Sequence, residues 1–531
     1  MARGFMDRVR AAFHTERSDG IPARESSEPR RAQRAYSGAA SGRLTHGWNA
    51  SSWGPNSEVG GTGTKLRDRS SDLVRNNPHA KKAISVLVGD LVGTGSLPTP
   101  ATGDAGVNAK LAAAWTQFAK TSNPASRVGI HGQVAQVVRG AAERGNAFMI
   151  RRWRRPGEYA IPMQIQCLEA DFLDTAQDNT LGRSSGPRIV QGVEFDGIGR
   201  KSGYWFYPEH PGESASYAAW GNAKRVDAVN VIHVHEEIGE RIGQVLGTPW
   251  LHAIVRALRE IGEFDSATMV RQKFAAAPIG VVTGGDPESG TFGPQINSDT
   301  GEIITDGCVS NSQGEIVERS EPGMFYYAVD GRSFEFSQPP MPTGIKEYHS
   351  EVLHVAAAGA GLTYEALSGD LKGLSWTSYR AGRLPYNRWI RVGQMLWLIP
   401  CVYQPIYDWF VDACVLADVV TPQEVAALGA DLNSAKWTPP RIESVDPAKD
   451  AAGDLIEVLA GFASKTENIA KRGRNPVELD NEITEERARA NDLGIVFNSD
   501  AAATLAGVIA SNNEDEQPAG SSAGDRSLGV V

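Results

Sequence analysis

The chain has 531 residues, of which 41% are hydrophobic and 22% charged, and its 63 acidic against 53 basic side chains give a formal net charge of −10. That length exceeds what one hydrophobic core serves, so two to four packed units are expected. The acidic balance argues against a protein that coats itself on nucleic acid through a broad basic surface. The four cysteines, Cys167, Cys308, Cys401 and Cys414, form no Cys-x-x-Cys pair. This excludes a zinc knuckle or disulfide framework and fits a reducing compartment. The N-terminal stretch lacks the apolar run of a secretory signal. The most apolar window, from Met395 to Val420, contains two prolines, Asp408 and Asp412, which a lipid-spanning helix tolerates poorly, so no membrane span is expected.

In chain order, residues 1–64 read as a flexible arm, with Trp48 and Trp53 set among Ser, Gly, Arg and Pro. From Lys65 the apolar spacing turns helical as far as Gly93, as one long helix or as two broken at Pro78, and further helices are expected over 108–120 and 130–144. Between Asn146 and His235 the pattern falls to alternation and short apolar runs, the mark of a small sheet. A long helix is expected next, with Thr248 as N-cap, Pro249 in the first turn and Pro278 as the stop. Residues 279–344 read as short β-like pieces. Helices return over 345–358, 379–398, 423–430 and 448–493, and 501–531 read as a disordered tail.

No stretch assembles a nucleophile, a base and oxyanion donors. The glycine-punctuated segment LTYEALSGDLKGLSWTSYRAGRL (362–384) fails as a phosphate cradle because Lys372 precedes Gly373, and as a nucleophile elbow because Ser368 and Ser375 lack flanking glycines. His233 and His235, on one face of a strand and followed by Glu236 and Glu237, could ligate a metal, but no second histidine of a zincin follows and a structural role is preferred. Glu169, Asp171 and Asp174 read as surface carboxylates rather than as an ion site. The run at 151–155 (RRWRR) reads as a hairpin end more readily than as a phosphate contact. Arg241, Gln244 and Gly247 read as a shaped connection. No catalytic, cofactor-binding or metal-ligating residue is assigned.

Four stretches taken together, LRDRSSDLVRNNPHAKKAISVLVGDLVGTG, VIHVHEEIGERIGQVLGTPWL, AAAGAGLTYEALSGDLKGLSWTSYRAGRL and VYQPIYDWFVDACVLADVV, resemble in order and spacing the lambda-type portal proteins of tailed bacteriophages. The resemblance covers about residues 44–475. It rests on Arg75-Asn76-Asn77, on His233 with Gln244 and Gly247, and on Tyr364 through Arg383. The arm, the tail and the loops over 280–330 depart from it.

The resemblance implies an α+β portal fold with wing, stem, clip and crown regions, long helices and a small mixed sheet, assembled as a ring, typically a dodecamer. It implies no enzymatic activity and no cofactor. The implied partners are double-stranded DNA without sequence specificity, the terminase large subunit, major capsid and scaffold or protease proteins, and head-tail connector proteins. The implied location is the portal vertex of the virion, with host cytoplasm during assembly. Mapped onto the chain, the wing would be 65–248, stem and clip 249–344, a return and channel-proximal segment 345–420, and the helical crown 421–500. Lys372, Trp376, Tyr379, Arg380 and Arg383 become the candidate channel or subunit-interface residues, against the alternative of an ordinary core loop. The rival functions are a non-channel head protein and a metal-dependent nuclease using His233, His235 and nearby carboxylates. Acidic channel walls would account for the net charge by repelling phosphate.

Overall fold

The computed structural model describes residues 46–47, 50, 52–155, 157–179, 186–213, 223–276, 280–283, 308–310, 316–318, 333–336, 344–442 and 446–493. The chain divides into two units, Met1–Trp53 and Gly54–Val531. In the first, described only at a few positions, Trp53 is exposed. The tail expected over 501–531 and most of the expected arm lie outside the described residues.

The second unit opens with two helices, α1 (Pro55–Asn76) and α2 (Pro78–Val92). Residues 55–64, expected as arm, are therefore helical. Their glycines make them poor helix formers, and tertiary bonds hold them instead. The Asn56 side chain donates to Gly243 O and accepts from Val245 N, while Gln191 Nε2 donates to Asn56 O. The break falls at Asn77, whose carbonyl oxygen Oδ1 accepts from the N–H groups of His79 and Ala80 and so caps α2. After strand β1 (Leu97–Pro100) come α3 (Ala105–Thr121), capped by Asp104, and α4 (Ile130–Arg144).

The sheets are antiparallel throughout the described pairs, so the expected mixed sheet is corrected to antiparallel ones. The short links over 191–192 and 196–200 join successive strands, and such turns can link only antiparallel neighbours. A three-stranded sheet has the order β3 (Met163–Glu169), β2 (Ala147–Trp153), β8 (Val231–Val234). A four-stranded meander runs β4 (Arg188–Val190), β5 (Val193–Phe195), β6 (Lys201–Phe206), β7 (Lys224–Asp227).

Strand β2 explains how these layers stack. Successive side chains alternate between faces: Ala147 and Met149 enter the large helical core, while Phe148 and Ile150 enter a second core with Tyr204, Phe206 and Val193 from the meander. The three-stranded sheet is thus buried on both faces. The 151–155 run is a hairpin end as expected, except that Arg151 turns inward, pairing with Asp412 at 2.8 Å and lying over the rings of Trp153 and Trp409.

The expected long helix is shorter at its start. Helix α5 is Val255–Ala276, and residues 249–254 are turns. Thr248 does not cap it, because the helix begins further on at Val255; the Thr248 N–H donates to Glu240 Oε1 at 3.2 Å. Short antiparallel strand pairs follow, β9 (Gly280–Thr283) with β12 (Ser333–Phe336) and β10 (Cys308–Ser310) with β11 (Ile316–Glu318). Then come α6 (Ile345–Ala360), the single-turn α7 (Tyr364–Ser368), α8 (Trp376–Val392), a π-helical stretch (Gly393–Tyr403) and α9 (Gln404–Leu416). The π stretch contains Pro400, whose ring and missing N–H cannot fit an α-helical ladder, and wider winding absorbs it. No helix among the described residues is long and apolar enough to cross a membrane.

The chain closes with α10 (Pro422–Leu428), β13 (Ala435–Thr438), α11 (Pro447–Leu459), α12 (Lys465–Lys471) and α13 (Pro476–Leu493). Strand β13 pairs with β1, Leu97 opposite Thr438. Both are edge strands, which is why Pro98 and Pro100 are tolerated.

Candidate functional site

The candidate segment is the connection from α7 into α8. Thr363 caps α7 by accepting from Ala366 N at 3.3 Å. Gly369 ends it in the left-handed region at φ 77°, where only a glycine fits without strain, and the Cβ of any other residue would lie 2.7 Å from Lys82 Nζ. The loop is then held by its own polar groups: Asp370 N donates to Ser368 Oγ and Lys372 N to Asp370 Oδ1. Ser375 starts α8 by accepting from Ser378 N at 3.2 Å.

Within this frame Lys372 is exposed and has no ion-pair partner among the described residues. Trp376 is 51% exposed, so its ring is not part of this chain's core. Tyr379 is half-buried. Arg380 pairs with Asp450 of α11 at 3.2 Å, and the Arg383 guanidinium lies 5.5 Å over the ring of Tyr386. The five residues thus share one loop and the first two turns of one helix, and their side chains do not converge on a common point.

The segment is anchored from behind. Tyr386 is buried and its hydroxyl donates to Asp90 Oδ2 at 2.6 Å; burial, then the Asp90 bond and charge, push its pKa up. Gln394 donates to the Asp90 and Leu91 carbonyls, which satisfies the end of α2. Trp397 Nε1 donates to His235 O and Trp409 Nε1 to Val229 O. Helix α8 therefore buries Tyr386 and Ile390 against a rigid body. Its opposite face is open, with Leu384 and Val392 exposed, as are Met395 and Leu396 at the start of the π-helical stretch that continues it. The helix carries four arginines and no acidic residue. Between α2, α8 and residues 440–447 lies a cleft of about 570 Å³, lined by Asp90, Arg383, Tyr386 and Arg441 among others.

The histidine pair belongs to a structural knot. His233 is buried and stacks on Phe148 with ring centroids 4.6 Å apart, and its Nε2 lies 2.9 Å from Asn146 Oδ1. That oxygen also accepts from Gly247 N, while Asn146 Nδ2 donates to Gly247 O. Both contacts of Oδ1 therefore require a donor on His233 Nε2. Burial, with His235 and Lys201 as further causes, lowers the His233 pKa well below the ordinary value, so the ring is neutral. His235 behaves oppositely. Burial opposes its cation, but Glu237 and Glu240 outweigh that cost and raise its pKa. Its Nδ1 is 2.9 Å from Glu240 and its Nε2 3.3 Å from Glu237. The nitrogens of both rings are thus committed to protein partners or enclosed by the core. Gln244 and Gly247 act as the expected shaped connection, with Gln244 Nε2 donating to Leu246 O.

Of the three carboxylates considered for an ion, Glu169 and Asp171 come together, joined by His210. Asp171 is already taken: Arg67 Nε lies 3.1 Å away and Arg144 is hydrogen-bonded to its other oxygen. Two guanidiniums on one carboxylate leave no local negative charge for a cation. Asp174, expected at the surface, is buried and accepts from the Tyr207 hydroxyl at 2.6 Å. Proximity to a strand end says nothing about the aromatic hydroxyl that solvates it.

The model of the lambda family of phage portal proteins matches residues 41–394. This chain belongs to that family. The match ends at Gln394, short of the 475 to which the sequence resemblance runs, so the helices that follow lie beyond it. A probable portal protein of Halomonas phage phiHAP-1 is 25% identical over 353 residues, covering 65% of this chain and 63% of the relative. The portal-family chain here thus spans somewhat less than two thirds of that relative's length. Among solved structures, a chain in the neck of a native GTA particle computed with C12 symmetry is 13% identical at a TM-score of 0.42, covering 80% of this chain and 95% of that one. A chain in the neck of an empty GTA particle computed with C6 symmetry is 16% identical at 0.44, covering 82% and 98%.

Proposed function

We propose that this portal-family chain assembles into a ring, typically a dodecamer, at one capsid vertex and forms the channel through which double-stranded DNA is packaged and ejected. The family match over residues 41–394 carries the reading. The wing corresponds to 65–248, stem and clip to 249–344, the return and channel-proximal segment to 345–420, and the helical crown to 421–500. Lys372 in the exposed loop and Trp376, Tyr379, Arg380 and Arg383 on α8 work at the channel or the subunit seam. The half-exposed Trp376 supports a working surface over a core loop.

The terminase large subunit, capsid and scaffold or protease proteins, and head-tail connectors are the protein partners. The site of action is the virion's portal vertex, after assembly in host cytoplasm. The protein is not an enzyme in this reading, and the commitment of His233, His235 and Asp171 to internal partners weighs against the nuclease alternative. Negative-stain images of the purified chain test the proposal. Rings with a central hole support it, and solid or unclosed particles return the assignment to a non-channel head protein.

A further inference from the structure

Helices α11 to α13 lack a core of their own. Across Pro447–Leu493 the buried residues among those described are Asn468 and Ala490. Leu455, Ile456, Leu459 and Phe462 are 59%, 65%, 78% and 84% exposed, at spacings that put them along one side of α11 and its following turn. Helices of this length are marginal in water unless an apolar face is covered. Among the described residues nothing covers that face. A contiguous apolar group of this kind on a soluble protein marks an interaction surface.

The charge pattern identifies what covers it. Helix α13 carries Glu478, Asp480, Glu482, Glu485, Glu486 and Asp492 against Arg487 and Arg489. Helix α8 is the reverse, with arginines and no acid, and its open face, continued by Met395 and Leu396 at the start of the π-helical stretch, combines Leu384, Arg388 and Val392 with half-exposed Arg391. Among the described residues Arg388 and Arg391 have no ion-pair partner. The two surfaces already meet at one point within the chain, where Arg380 pairs with Asp450 at the start of α11. Asp480 and Glu482 of α13 also pair within the chain, with Lys465 and Arg474, while Glu478, Glu485, Glu486 and Asp492 have no ion-pair partner among the described residues.

We infer that the apolar, acid-flanked surface of α11–α13 docks on the apolar, arginine-bearing open face of α8 from a second copy of this chain. Such a contact joins two different surfaces, so it repeats from copy to copy and closes as a ring if the rotation permits. It deepens the ring proposal and rests on it only for closure, since the contact itself requires no more than self-association.

Two double variants test it, Leu459→Asp with Phe462→Asp and Arg388→Glu with Arg391→Glu. All four side chains are outside the core, so each variant should unfold within a few degrees of wild type as a dissociated subunit. Each should need at least tenfold higher concentration to self-associate by sedimentation velocity. Either variant associating like wild type overturns the inference. As a check independent of variant stability, copies carrying Phe462→Cys are mixed with copies carrying Val392→Cys and treated with a bismaleimide. A cross-linked dimer above the level given by the native cysteines supports the contact, and its absence overturns it. Wild-type assemblies that are open filaments yet respond to both variants would keep this contact and reject the ring. A wild type that stays monomeric at all concentrations would reject both.

Discussion

At Gly247 the connection from β8 to α5 has no room for a side chain. A Cβ there would lie 2.2 Å from Gly145 O, which is backbone and cannot swing aside. Gly247→Ala should therefore cost about 1–3 kcal/mol or more, as overpacking does, measured by chemical denaturation. A cost near zero would mean that the knot around Asn146 is looser than its hydrogen bonds indicate. Glu236, three residues from His233, gives a pH-dependent test. Burial first, and then the neighbouring Glu240, push its pKa up to about 7. A raised carboxyl pKa means the folded state holds the proton more tightly than the unfolded chain. Wild type then loses stability as pH rises from about 4.5 to 7 and keeps that loss above 7. Glu236→Gln removes the ionisation, so it should match wild type at pH 4.5 and exceed it at pH 8, by about 1 kcal/mol once partial solvent exposure is allowed for. Equal stability of the two proteins at pH 8 would show that Glu236 is solvated.

Among elements, α8 joins legibility and function. Its first residues become a candidate working surface only through the family resemblance, their glycines and aromatics alone leaving the role open, and Trp376 is 51% exposed. Trp376→Ala should leave subunit unfolding nearly unchanged while weakening assembly or DNA passage, because interface aromatics often carry about 2 kcal/mol or more of association energy. Unfolding at lower temperature with normal assembly would mean the ring supports the fold instead. Helices α2, α3 and α4 and strands β2, β3 and β8 are legible because their apolar spacing is set locally. What is not legible depends on distant partners. The start of α1 rests on Asn56 reaching Gly243 and Val245. The pairing of β1 with β13 joins Leu97 to Thr438 across most of the chain. Residues 249–254 carry helix-like spacing, yet the helix begins only at Val255, and nothing local in the spacing marks that later start. At the site, the residue types of the loop are readable. The link from Arg380 to Asp450 is not, because nothing in the spacing of two helices 70 residues apart announces an ion pair.

For the whole molecule, charge decides what DNA would meet. In the proposed ring the formal charge of −10 per copy is multiplied into a repulsive background for phosphate, against which Lys372 is a local exception. A conduit needs this combination, since broad attraction would stall the duplex and pure repulsion would leave it unguided. Lys372 separates the roles of assembly and guidance, because its hydrogen bond to Asp370 uses the backbone N–H and leaves the side chain open. Lys372→Glu should therefore assemble as wild type does, with ring dimensions unchanged in negative stain. Its retention of double-stranded DNA should fall, and the dependence of log affinity on log salt should flatten by up to ~0.9 for each phosphate that is no longer neutralised. Failure to assemble would place Lys372 at the subunit seam. An unchanged salt slope would place the loop away from the DNA path, and guidance would then have to come from a different surface of the ring.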